Sequence, residues 1–191
     1  MTVQVVRAGE RRRVPWRNGA GTTEEIATGD LLRTDRPRWR LSLADLGSAP
    51  SGFSAFPGVD RIFTVVGEHD VDLDFGDGPR TVRPWQPHPF AGEDAPHCLP
   101  LGATSAFNVM IERGAATASV SPIPPGAHPV TDPREVTALF VRSGLVRAGA
   151  VQAGSGDCLL VHDEALALRG DTASGLLVRI APEPRPRPDP V

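Results

Sequence analysis

Twenty prolines and twenty glycines are spread along the 191 residues, cutting the chain into pieces too short for long helices. Inside a helix a proline costs about 3 kcal/mol and a glycine about 1 kcal/mol relative to alanine. Between these breakers lie short segments rich in Val, Leu and Ile, residues that suit a pleated, half-buried surface. Short strands separated by turn signals indicate an all-β sandwich or barrel.

Strands are expected over residues 2–8, 22–28, 38–46, 59–66, 70–75 and 106–114. In the third, Trp39, Leu41 and Leu43 share one face, and Arg38, Arg40, Ser42 and Ala44 share the other. That polar face either lines a ligand cavity in a small barrel or points to solvent. In the last, Phe107, Val109 and Ile111 oppose Asn108, Met110 and Glu112, and an inward Asn needs a partner or a ligand. Val71, Leu73 and Phe75 face inward, leaving three aspartates on a solvated edge. Pro57-Gly58 and Gly76-Asp77-Gly78-Pro79 are turns, and Pro84 to Pro100 reads as irregular. Beyond about residue 115 the composition shifts to Ala, Val and Leu, with strands expected near 116–121, 136–142, 145–148, 157–161, 165–168 and 175–181. Asp132-Pro133-Arg134-Glu135 suits a single helical turn capped by its Asp. Five alternating prolines mark residues 182–191 as an extended, disordered tail.

Charge and residue usage narrow the chemistry. A net charge of −3 and a pI near 5.9 argue against nucleic-acid binding. The only dense basic run, Arg11-Arg12-Arg13, reads as a solvated turn. All twenty basic residues are arginine, which removes Schiff-base and phosphate-loop lysines, and the absence of Tyr removes a phenolic acid or base. Cys98 and Cys158 form no CxxC pattern and read as buried thiols. No two of the five histidines stand at ligand spacing, so neither a metal nor another cofactor is expected. A site assembled by the fold from His88, Glu93 and His97 is the alternative. No nucleophile elbow is present, and no catalytic residue is assigned. No apolar run approaches the roughly 18 residues of a membrane span, and the N-terminus lacks a signal-peptide core, so a cytoplasmic location with no membrane partner is expected.

One stretch stands apart: Pro15-Trp16-Arg17-Asn18-Gly19-Ala20-Gly21-Thr22-Thr23-Glu24-Glu25-Ile26. A connecting loop needs glycines, but not a flat aromatic wall beside a guanidinium fork and an amide. That combination suits a small polar or anionic ligand, whereas a plain glycine turn would place Trp16 in the core and Arg17 in solvent.

Together with Trp39-Arg40-Leu41-Ser42-Leu43-Ala44, Phe53-Ser54-Ala55-Phe56-Pro57-Gly58-Val59-Asp60-Arg61 and Phe107-Asn108-Val109-Met110, this stretch resembles the HutD/Ves family in order and spacing. The resemblance covers about the first 113 residues and implies a bicupin without the usual cupin metal ligands. Two antiparallel, jelly-roll-like β-barrel lobes are then expected, over residues 1–113 and 114–181, followed by the tail at 182–191. It further implies a non-catalytic protein that senses an acidic metabolite of histidine degradation and modulates histidine utilisation. Urocanate and formimino- or formylglutamate are the candidates. Carried over by motif, the ligand-binding residues are Trp16, Arg17, Asn18, Glu25, Arg40, Ser54, Phe56, Arg61, Phe107 and Asn108. The chain departs from the family pattern at Arg17, where Lys is more usual, at Ala20, where Gly is, and at Ala106, where an acid is. A charged arginine inside such a lobe must pair with Glu25, with Asp60 or with an incoming anion. The competing class is a cupin-type isomerase, hydrolase or metal-dependent oxygenase acting on a small carboxylic acid. A third is a protein-docking module using the proline-rich tail, and a homodimer is compatible with all three.

Overall fold

The computed structural model describes residues 3–16, 21–29 and 38–183. The first half of the described chain forms β1 (Val3–Val6), β2 (Arg13–Pro15), β3 (Thr22–Gly29), β4 (Trp39–Gly47), β5 (Ser51–Gly52), β6 (Val59–Val65), β7 (Val71–Asp74), β8 (Pro79–Val82), β9 (His88–Ala91) and β10 (His97–Pro100). The second half forms β11 (Thr104–Glu112), β12 (Ala116–Ile123), β13 (Val136–Ser143), β14 (Val146–Ala148), β15 (Val151–Ala153), β16 (Cys158–Val161) and β17 (Ser174–Pro182). Only two single 3-10 turns interrupt this pattern among the described residues, as the density of Gly and Pro requires. The strands lie in a six-stranded sheet ordered β2-β3-β4-β11-β6-β9 and a five-stranded sheet ordered β1-β16-β13-β17-β12. A four-stranded sheet, β5-β10-β7-β8, and the β14-β15 ribbon complete the set, and every named pairing is antiparallel. No closed barrel forms among the described residues.

Three apolar clusters hold the layers together. The first lies between the two large sheets: Trp39, Leu41, Phe107, Val109 and Ile111 of the six-stranded sheet meet Ala138, Phe140, Leu160, Leu176, Val178 and Ile180 of the five-stranded one. A second, built on Leu139, Val141, Leu159, Leu168 and Leu177, fills the C-terminal half. The third packs Ala44, Leu46, Phe63, Val65 and Ala106 against Val71, Leu73, Val82 and Cys98 of the four-stranded sheet. Each large side chain fully removed from water contributes about 1.5–3 kcal/mol. Both cysteines are buried and unpaired.

Several features depart from the sequence-based expectation. The segment 84–100 is not irregular: β9 pairs with β6 and β10 with β7. Around 165–168 the chain makes only an isolated bridge between Val130 and Ala167. Residues 132–135 form a turn closed from Glu135 N to Asp132 O, with Asp132 Oδ1 accepting from Arg134 N. The first strand pairs with β16, so the five-stranded sheet takes one strand from the start of the chain. The last strand runs to Pro182, one residue into the expected tail, whose remainder at 184–191 lies outside the described residues.

Arg11 overturns the solvated-turn reading of the basic run. Its side chain is 1% exposed, lies 3.7 Å from Glu24, donates to the Gly156 carbonyl and stands 5.8 Å over the Phe140 ring. A guanidinium stem is long enough to bury its carbons while its head reaches Glu24 on β3 and the turn before β16, which a charge count cannot foresee.

Candidate functional site

Directly opposed residues of an antiparallel pair project to the same face of the sheet, so the register alone assembles the site. One row across the six-stranded sheet reads Glu25, Ser42, Asn108, Phe63 and His88. Two residues further along lies a second row, Arg40, Met110, Arg61 and Phe90. Both rows share the face that carries Ala44, Ala106 and Val65 toward the four-stranded sheet. Along the strands this face therefore passes from an apolar floor to a polar end. Phe107, Val109 and Ile111 alternate to the opposite face and into the core between the large sheets.

Local irregularities aim the contributors. In β3 the pairing shifts between Glu25 and Ala27. The extra residue, Ile26, is buried in the inter-sheet core together with the packed Ala27, while Glu25 stays on the polar face. A bulge is the device that makes such a change of side possible within a strand. At the start of the same strand Trp16 N donates to Gly21 O, and Trp16 Nε1 donates to Thr23 Oγ1 at 2.7 Å. The indole then packs on the third cluster. A Cβ at Gly21 would collide with the Asp45 carbonyl and press on the indole, so the close approach requires glycine.

Arg61 is the central group. It is 7% exposed, and its Nη2 donates to Asn108 Oδ1 at 3.0 Å. Its guanidinium stands 4.7 Å from the Phe53 ring centroid, 5.0 Å from that of Phe90 and 5.9 Å from that of Phe56. Nε of Arg61 is buried without a hydrogen-bond partner. Burial, with a smaller contribution from the like charge of Arg40, lowers its pKa to about 10, so it is still a cation at neutral pH. Of the three partners that could balance it, the two internal ones are engaged elsewhere. Glu25 lies 3.3 Å from Arg40 Nε. Asp60 projects to the other face of β6 and accepts from Arg113 Nη2 at 2.6 Å. Among the described residues no carboxylate lies within ion-pair distance of Arg61.

The segment carrying Phe53 and Phe56 is pinned from behind. Phe56 N donates to Gly92 O at 2.8 Å and Phe53 N to Pro96 O at 3.1 Å. Glu93 accepts from Gly58 N at 2.9 Å and from Arg113 Nη1 at 3.0 Å. Those two bonds, Arg113's first, hold the Glu93 carboxyl at about 2, below the usual carboxylate range.

Of the expected site residues, Glu25, Arg40, Arg61 and Asn108 share one face, and Phe56 reaches it through its ring. Ser54 is exposed on the same segment as Phe56, and Trp16 flanks the apolar floor. Phe107 does not belong with them: it is 0% exposed and lies 5.2 Å from the Phe140 ring, on the wrong side of β11. Arg17 and Asn18 lie outside the described residues. The expected ligand-binding residues leave out Ser42, Phe53, Phe90, Met110 and His88, although Ser42 and Met110 are placed on the polar faces of their strands and His88 in the alternative metal set. Strand alternation puts Ser42 with Arg40 and Met110 with Asn108, but the contribution of β9 was hidden behind its prolines. His88 Nε2 is buried without a partner, and burial, then the charge of Arg80, lowers the pKa of the imidazole. The alternative metal set fails on geometry, since Glu93 is bound to Arg113 and His97 is exposed. Among the described residues no three His, Cys, Asp or Glu side chains come together.

Two open clefts are present among the described residues, the first of them bordering the site. One, of about 410 Å³, runs past Ile62, Ile111 and Ala116 and touches Arg61 and Phe90 from the edge; the other, of about 650 Å³, lies by Leu145, Arg147 and Arg169. The charge and the aromatic rings, rather than open volume, make the polar end of the N-terminal face the candidate site.

Comparison with known proteins bears on the family and the fold. A protein from Pseudomonas putida, described as an uncharacterized 21.2 kDa protein in the hutC 3' region, is 39% identical over 110 residues, 56% of this chain and 57% of its own length. The chain thus aligns with little more than half of that relative. The solved structure of HutD from Pseudomonas fluorescens SBW25 superposes with a TM-score of 0.82 at 28% identity, covering 95% of this chain and all of that one. The nickel(II)-bound bacterial pirin YhhW from Escherichia coli, at 13% identity and a TM-score of 0.67, covers 95% of this chain and all of its own and shares the cupin-like fold alone. The model of the family described as HutD matches residues 8–178, and the chain belongs to the HutD family.

Proposed function

We propose that this protein binds, without transforming it, a small acidic metabolite of histidine degradation at the polar end of its N-terminal lobe, and so modulates histidine utilisation. The two halves then act as the lobes of a bicupin, with the first as the binding lobe. In support, one face of the first half carries Glu25, Arg40, Ser42, Arg61 and Asn108, with Arg61 lacking a carboxylate, whereas Arg179 on the Leu139–Leu177 face of the second half is paired with Glu135.

The observation that carries this reading is Arg61. Burying a guanidinium without a counter-charge costs free energy that packing alone does not return. Three phenylalanine rings lower that cost through cation–π attraction, about 0.5–2 kcal/mol each. They supply no anion. A ligand carboxylate does, with Asn108 offering an amide beside it and the rings walling the apolar part. Phe56, 38% exposed, is the ring that yields for the ligand to enter. Urocanate and formimino- or formylglutamate carry the required carboxylate.

A thermal-shift screen against histidine-pathway intermediates tests this, because a ligand of the native state raises the melting temperature by mass action. A concentration-dependent rise with one of these acids, and none with histamine, is expected. No rise with any acid of the pathway contradicts it.

A further inference from the structure

The two guanidinium groups of the polar end are balanced differently. Arg40 and Arg61 flank Met110 in one row of the sheet. Arg61 has no carboxylate, whereas Arg40 has Glu25 at 3.3 Å. That pair is loose. Arg40 Nε is buried and makes no hydrogen bond, so the Glu25 carboxylate stands close but out of line with the N–H. The Glu25 side chain is 53% exposed and that of Arg40 37% exposed, so the pair sits at the rim. The bulge in β3 keeps Glu25 on this face while Ile26 turns into the core.

We propose that Glu25 is a specificity-determining residue that occupies, from within the chain, the position a second ligand carboxylate would take. The proposal rests on the reading that Arg61 receives a ligand carboxylate, and it fixes the ligand class. Arg40 and Glu25 cancel, which leaves one uncompensated positive charge, Arg61, among the described groups of this face. His88, whose pKa is lowered, is neutral at neutral pH and adds none. The site therefore takes a monocarboxylate whose other end is polar but uncharged, such as an amide or a neutral imidazole. A dicarboxylate must either leave its second charge beside Glu25 or displace Glu25 from Arg40, and like charges in contact suppress binding.

The test compares two probes that differ by one charge, N-formylglutamine and N-formylglutamate, by calorimetry at constant ionic strength with the full chain and with Glu25→Gln and Arg61→Gln. The wild type is expected to prefer N-formylglutamine. Glu25→Gln is expected to raise affinity for N-formylglutamate about tenfold, leave N-formylglutamine within about twofold, and so erase or invert the preference. Equal ratios of the two affinities in wild type and Glu25→Gln overturn the proposal while leaving the reading at Arg61 intact, provided that Arg61→Gln weakens both probes. Affinities unchanged in Arg61→Gln remove the Arg61 reading and this inference with it. The exposure of Glu25 makes the variant's folding secure, and an unchanged melting temperature without ligand checks it.

Discussion

A buried arginine held by an amide and three aromatic rings is a group whose function and stability pull in opposite directions. Arg61→Met keeps the side-chain volume and the contacts with Phe53 and Phe90 while removing the uncompensated charge. Its unfolding free energy without ligand is expected to stay within about 1 kcal/mol of wild type or to exceed it. Ligand-induced stabilisation should disappear. Urea denaturation with and without the acid measures both, and a variant that is strongly destabilised yet still binds would contradict the role given to Arg61. Residue identity made part of this legible in advance. Arg61, Asn108 and Arg40 stood out because charged and amide side chains alternate with apolar ones in strands, and a charge turned inward needs a counter-charge. Which acid served which arginine was not legible. Glu25 and Asp60 were equally available in the sequence, and only the sides of β3 and β6 on which they emerge decide between them.

Elements carry the site through their turns and bulges. The segment bearing Phe53 and Phe56 is held by Glu93, which joins Gly58 N to Arg113, itself bonded to Asp60. The Glu93 carboxyl titrates at about 2 in the folded chain, below its ordinary value, so the anchor is fully present above the unfolded value and is lost as pH falls toward 2. Wild type is expected to lose melting temperature over that acidic range faster than Glu93→Gln, whose amide does not titrate there. Parallel pH profiles for the two proteins would remove Glu93 as an anchor. Turn chemistry was the readable part of this layer: Gly58 and the Gly76–Gly78 turn adopt the positive φ that only glycine holds without strain. The strands β9 and β10 were not readable, because Pro89, Pro96 and Pro100 broke the alternation. Proline is tolerated on an edge strand, and β9 is one.

At the scale of the whole molecule, the core between the two large sheets fixes how the halves meet. Phe107 is fully buried there beside Phe140, so Phe107→Ala is expected to cost about 3–5 kcal/mol of stability with little effect on affinity in the fraction that stays folded. Denaturant unfolding paired with calorimetry separates the two, and lost affinity without lost stability would return Phe107 to the site. Arg11 is a second fastener. Removing its bond to the Gly156 carbonyl and its cover over Phe140 by Arg11→Ala should cost about 1–3 kcal/mol in denaturant unfolding, while Glu24 keeps its bond from Arg13. Period-two patterning sufficed for an all-β chain, and it assigned Phe107 to the face opposite Asn108. It did not say that this opposite face is an interior as well, since a sheet covered on both sides looks from sequence like one covered on a single side. The motif resemblance therefore placed Phe107 with the ligand, and packing moves it to the inter-sheet core.

The central claim is that Arg61 awaits a carboxylate. Calorimetric titration of wild type and Arg61→Gln with urocanate and N-formylglutamate addresses it most directly. Saturable binding of at least one acid by wild type, weakened at least about tenfold in a folded Arg61→Gln, is the predicted result. Equal affinity of the two proteins for every acid that binds would contradict it.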